Sequence, residues 1–434
     1  DGVLKVSQDR NLGAVPASQQ AGHLVLSGGV LQATSGFELS AQRGISVTGA
    51  STFQTDANVS VSYAGVMAGT GGLTKSGSGT LVLSGANTHT GTLTVADGTL
   101  QVGTGAGAGS LAQASAIAID APGKLVFNRS DAHTVANTIS GAGTLEQGGA
   151  GVLTVSGDNS GLTGATHLAA GTLHVGHANA LGAISSTGAI SFAGGTLQFG
   201  SANQSDYSAR LAGSGNQPIR IDTNGQSVTF GSAIAGAGTS LRKLGAGSLT
   251  LSGNSTYTGA TQVDAGTLVL TGSLAAATDV TLAGTSVWDL RNAQTIASLS
   301  MAAGSSIVGA VGSASSLDVT GAATLSNAVS TNGVQRYRGA VTLGANTTLT
   351  GTTIHTQSTL SGGGRTLAIE GAAEIDGAYS NLSSLSITGT ADLGGDITTT
   401  GAQTYSNAVT LSGGNRTLTT TNSNVTFSST VDSE

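Results

Sequence analysis

The sequence predicts an all-β chain wound as a right-handed parallel β-helix, a β-solenoid of roughly 20 rungs. Three observations lead there. One phrase of about thirty-five residues is written three times. Apolar residues alternate with polar ones between glycine turns. Aromatic side chains make up only 3% of the chain.

The repeated phrase comes first. Gly69 to Val102 reads GTGGLTKSGSGTLVLSGANTHTGTLTVADGTLQV. Gly141 to Val175 reads GAGTLEQGGAGVLTVSGDNSGLTGATHLAAGTLHV, and Gly236 to Leu270 reads GAGTSLRKLGAGSLTLSGNSTYTGATQVDAGTLVL. Each copy holds a glycine-bounded strand, an L-x-[LV]-S-G phrase, a T-G step and a closing G-T-L. A unit this short cannot bury its own apolar face, so copies must stack on their neighbours.

Alternation then fixes which residues face inward: Leu81 with Leu83, Leu93 with Val95, Leu100 with Val102. A disordered Gly/Ser-rich chain has no reason to keep such a period, which argues against disorder. Helix is poorly supported, because glycine interrupts nearly every helical run at a cost of roughly 1 kcal/mol each. Short strands separated by SG, GG, DG and AG turns fit throughout. A parallel β-helix satisfies strand edges by bonding each rung to the next. Its narrow interior suits Val, Leu, Ile, Ala and Thr, whereas tandem sandwiches need larger aromatic cores.

Three regions follow. Residues 1–270 carry the first repeat, and an offset of 168 relates Leu73 to Leu241. Offsets of 169 (Leu12 to Leu181) and 166 (Leu31 to Leu197) point to one duplicated module. Residues 271–332 are expected to continue the coil with decayed repeats, since alternation persists in SLDVTGAATLSNAV. Residues 333–434 carry a second repeat, GVQRYRGAVTL from Gly333 and GAQTYSNAVTL from Gly401, 68 residues apart.

The search for chemistry returns little. Net charge is −7 and the 15 Lys and Arg are spread thinly along the chain, which gives nucleic acid no footprint. Glycine runs at 103–109 and 362–364 lack the Lys-Ser/Thr and helix of a phosphate loop. His167, His174 and His177 are close in sequence but have no Cys and few acids beside them, so no metal or cofactor is expected. His89, Leu162 and Tyr257 share one repeat position, and a swap of that kind marks a structural turn. Asp289 with Arg291, and Glu370, Glu374 and Asp376, are the densest charge clusters. A polysaccharide lyase or glycoside hydrolase would need two such acids facing one groove. For ligand binding the candidates are Trp288, Tyr337 and Tyr405, since aromatic rings stack on sugars. Tube-filling is the competing role of Trp288, and the shared repeat position of the two tyrosines argues for structure.

The pattern L-x-K-x-G-x-G-x-L-x-L-S-G-x-N-x-[YH]-T-G-x-T-x-V-x-x-G-T-L resembles the autotransporter-associated β-strand repeat of Gram-negative secreted proteins. Copies one and three follow it. Copy two departs, with Glu146 and Gln147 in place of Thr74 and Lys75, and Gly161 inserted before the T-G step. The GxQxYxxAVTL repeats resemble those of filamentous haemagglutinin-like large exoproteins, which use two-partner secretion. The resemblance implies a rigid stalk of a secreted adhesin or biofilm-matrix protein without catalysis. Its implied partners are extracellular polysaccharide or surface glycans, and an outer-membrane transporter during secretion. Contact is expected to be distributed over many weak sites. The absence of Cys suits passage through a pore unfolded. No apolar run is long enough to span a membrane. The chain opens DGVLKVSQDR, without a leader pattern, and a piece of something longer is expected.

Overall fold

The computed structural model describes residues 2–211 and 215–434. Strands and turns make up nearly all of it. The helical pieces among the described residues are two short 3-10 turns, Asp9–Leu12 and Ser208–Arg210. The architecture is a parallel β-solenoid of about 21 turns, as the repeats predict. It divides into two compact units, Asp1–Leu211 and Ala212–Glu434.

In the first unit each repeat copy stacks on itself. Strand Leu73–Ser76 pairs with Leu93–Val95, placing Leu73 against Leu93. Strand Thr80–Leu83 pairs with Thr99–Val102, placing Leu81 against Leu100. One copy therefore passes twice over the same two walls. The second copy does likewise, with Leu145 against Thr166 and Leu153 against Leu173. It begins one wall further round, however. The sheet holding Thr80–Leu83 continues through Lys124–Phe127 to Thr144–Gln147, which is the first strand of copy two.

Period-two alternation places the apolar positions inside. Leu81, Leu83, Leu153, Val155, Leu249 and Leu251 are all at most 2% exposed. Glycine is required where rungs meet most closely. Gly69 and Gly141 occupy the same repeat position at φ +109° and +102°. A Cβ at either would strike the carbonyl oxygen of the rung beneath, at Val47 or Ile119. His89, Leu162 and Tyr257 are buried corner residues, in line with a structural position.

The charged residue inside the repeat has a specific task. Lys75, Gln147 and Lys243 share one position, and all three are buried. The Lys75 ammonium donates to the carbonyls of Ser76, Gly77 and Asp97 at 2.8, 2.7 and 3.0 Å. The Lys243 ammonium donates to Leu244, Gly245 and Ala265 at 2.9, 2.7 and 3.0 Å. Each ammonium thus uses its three protons to close a turn whose carbonyls have left the ladder. In copy two the Gln147 amide does this with Gly149 and Gly151, at 2.8 and 3.1 Å. The departure at Gln147 is a shorter neutral donor in the same place.

The second unit has three walls, and its rungs run at about 20 residues. The first wall stacks inward residues Ile219, Leu241, Thr261 and Val280, and continues through Leu299, Ala323 and Val341. The second stacks Val228, Leu249, Leu268, Trp288 and Ile307. The third stacks Gln294, Leu317, Gln335, Ile354 and Ala373. Residues 271–332 form strands in register with their neighbours, so the coil continues through them.

The GxQxY phrase is explained by its interior bonds. Gln335 Nε2 donates to the carbonyls of Val329 and Thr350 at 2.9 and 2.8 Å, and Tyr337 donates its hydroxyl to Gln335 Oε1 at 3.0 Å. Gln403 does the same with Ile397 and Thr419, and Tyr405 donates to Gln403 Oε1 at 3.1 Å. The two copies lie on different walls. Gln335 belongs to the third, while Tyr405 stacks on Ile387 in the second.

Two predictions follow from this interior. Leu249→Asp places an unpaired charge in the tube and should cost on the order of 4 kcal/mol, read from chemical unfolding. An unchanged midpoint would mean that the side chain faces water. The second concerns pH. Burial pushes Lys75 and Lys243 down to about 8 from 10.5, against a partial rise from Asp97 and Asp222 respectively. Between these values the unfolded chain holds more protons, so stability rises with pH. Burial pushes Tyr63 up to about 12, so above its unfolded value of 10.0 the unfolded chain loses protons first and stability falls. Unfolding free energy should therefore peak near pH 10, and the Lys75→Met/Lys243→Met variant should lose the rise between pH 8 and 10.

Candidate interaction surface

With alternate residues committed to the tube, any contact surface consists of outward columns in which one residue per rung stacks on the next. Two such columns stand out in the second unit.

On the third wall the outward column reads Thr295, Asp318, Arg336, His355, Glu374, Asp392, Thr410, Asp432. In a chain with 9% charged residues this is a concentration of charge. Arg338 grips Asp318 with two bonds, Nε to Oδ1 at 2.9 Å and Nη2 to Oδ2 at 2.6 Å. Those bonds hold the Asp318 carboxyl below the ordinary carboxylate range. His355 lies between Glu374, at 3.3 Å, and Asp376, at 2.9 Å. Sequence reasoning missed His355. The available signal was its spacing of one rung from Glu374.

On the first wall the outward column is Arg220, Arg242, Gln262, Thr281, Ser300, Thr324, Thr342, Ser361, Ser380. Six successive rungs present a hydroxyl, from Thr281 to Ser380, all half-buried or exposed. Three of the nine, Thr281, Thr324 and Thr342, are threonine, whose branched side chain is stiff at χ1, so those hydroxyls are held in position before any partner arrives.

The sequence-predicted residues lie elsewhere. Trp288, Tyr337 and Tyr405 are each 0% exposed. Their role as sugar-stacking anchors is corrected: a ring enclosed by the tube offers no face to a ligand. Trp288 stacks between Leu268 and Ile307, and Tyr405 beside Phe427 with ring centroids 5.1 Å apart. His167 and His174 lie on different sheets, bonded to Ser191 at 2.8 Å and Gln198 at 3.0 Å. Asp289 is paired to Arg291 at 2.8 Å. Glu370 accepts from Thr350 on one wall, apart from Glu374 and Asp376, which meet at His355 on another. Among the described residues no helix is long and apolar enough to cross a membrane.

Comparison with known proteins agrees with the repeat pattern. Residues 73–102, 145–175 and 241–270 match the Passenger-associated-transport-repeat. Over 305 residues the chain is 30% identical to the Adhesin BmaC autotransporter of Brucella suis biovar 1 (strain 1330), a match taking in 62% of this chain. The matched stretch amounts to 9% of that much longer protein. No solved structure matches the chain. The two matches support an autotransporter-type repeat protein.

The enclosed aromatics carry a prediction of their own. Tyr405→Phe removes the bond to Gln403 and should cost about 1 kcal/mol of stability while leaving any surface binding unchanged. Paired unfolding and binding measurements on this variant separate the two roles.

Proposed function

We propose that this chain is a solenoid segment of a secreted, cell-surface Gram-negative adhesin that holds glycans, cells or matrix through many weak polar contacts. The observation that carries the reading is the unbroken outward column of hydroxyls from Thr281 to Ser380. Similarity to an autotransporter adhesin supports it. A single hydroxyl contact contributes only about 1 kcal/mol in water, but linked contacts raise avidity by factors on the order of 100 or more. The same similarity favours export through a fused barrel over the two-partner route, and a chain free of cysteine threads a pore without cross-links. The second reading, a polysaccharide lyase or glycoside hydrolase, would have to use Glu374 and Asp376, and both are engaged with His355.

A substitution series tests this. Thr281→Val, Thr324→Val and Thr342→Val should each weaken adhesion to cells or glycan-coated surfaces by about two- to five-fold, and together the losses should multiply. Complete loss from one substitution would replace the distributed surface with a discrete site. No loss from all three would remove this column from adhesion.

A further inference from the structure

The lower end of the hydroxyl column breaks its own pattern. Arg220 and Arg242 lie directly opposite each other on neighbouring strands. Two guanidinium groups one rung apart concentrate positive charge at this point of the wall. The two side chains line a cavity of about 220 Å³ together with Pro218, Ser240 and Gln262. Asp264 takes one edge of Arg242, with Nε 2.6 Å from Oδ2, and also accepts from Gln262 Nε2 at 2.6 Å. The terminal amino groups of the Arg242 fork have no protein acceptor among the described residues. The Arg242 side chain is 40% exposed, so those donors are reachable from solvent.

A planar guanidinium presents parallel N–H donors that match the paired oxygens of a carboxylate or a sulfate ester. Directly above the cavity the column continues as Gln262 and then hydroxyls, groups that exchange hydrogen bonds with a polyhydroxylated chain. We propose that the Arg220–Arg242 cavity binds the acidic group of an anionic polysaccharide whose chain lies along the hydroxyl column. The proposal rests on reading that column as a contact surface, and adds to it a ligand class and an anchoring point. With the rung spacing of about 4.8 Å, the nine residues of the column cover about 38 Å, room for several sugar units.

The test uses the whole chain against three probes: polygalacturonate oligosaccharides, dextran sulfate and uncharged dextran. At least one anionic probe should bind ten-fold or more tightly than dextran, with affinity falling as salt is raised. Whichever of the two binds names the group, carboxylate or sulfate ester, and binding of both names their shared anionic oxygens. Arg220→Gln/Arg242→Gln should lose at least ten-fold, Arg242→Lys should lose part of it, and Arg338→Gln on another wall should bind as the parent does. Thermal unfolding of each variant reports folding, and Arg242→Lys keeps the charge if the double variant is unstable. Equal binding of dextran, parental binding by the double variant, or an equal loss in Arg338→Gln would overturn the proposal. If that happens while the threonine series still weakens adhesion, the adhesin reading stands and the anionic site alone falls.

Discussion

Every other feature of this protein depends on the backbone hydrogen bond from one rung to the rung beneath. The amides of Thr80, Thr99 and Lys124 donate to the carbonyls of Val59, Gly79 and Gly98 in the preceding turns, at 2.8, 3.0 and 2.8 Å. Parallel stacking of this kind leaves no room for a Cβ at the closest corners, hence glycine at Gly69 and Gly141. It also strands carbonyls wherever the chain leaves a wall. Buried Lys75, Lys243, Gln147, Gln335 and Gln403 are among the side chains that take up those carbonyls. These five polar residues are parts of the ladder rather than a site enclosed by it.

Because the interior is consumed in this way, what the protein offers to others is decided by the outward half of each strand. Stacking turns single outward residues into columns, and neighbouring columns differ in character. One carries Asp318, Arg336, His355 and Glu374, another six hydroxyls in succession. The acids and bases of the charged column largely satisfy each other, as Arg338 with Asp318 and His355 with its two carboxylates show. The hydroxyl column has no such internal charge pairing, and this difference makes it the better candidate for contact with glycans.

The fold was legible because its signal is local. Alternation at Leu81 and Leu83 or Leu249 and Leu251 reports which side of a strand meets the core, and no knowledge of partners is needed. The surface was not legible, because a column exists only once register is known: Thr324 and Thr342 are unremarkable until the ladder sets them side by side. The same limit left Trp288 open between anchor and tube-filling. A large ring outside the repeat pattern suggested an exposed anchor, whereas its alternation with Asp289 and its stacking on Leu268 place it inside. Gln294 in NAQTI was passed over in the decayed region. It is buried and donates to the Ala293 carbonyl at 2.8 Å, so the GAQTY phrase has a relative there.

The displacement of the GxQxY copies from one wall to another has a consequence for how such a protein changes over time. The copies begin 68 residues apart, while third-wall strands recur after about 19 residues. The interval is therefore no whole number of turns, and a duplicated segment re-enters the stack at a new azimuth. Its inward residues fit as before, since each wall asks the same of them, but its outward residues now point in another direction. Copying a stretch of gene thus redistributes an existing chemistry around the circumference, without the invention of a single new side chain.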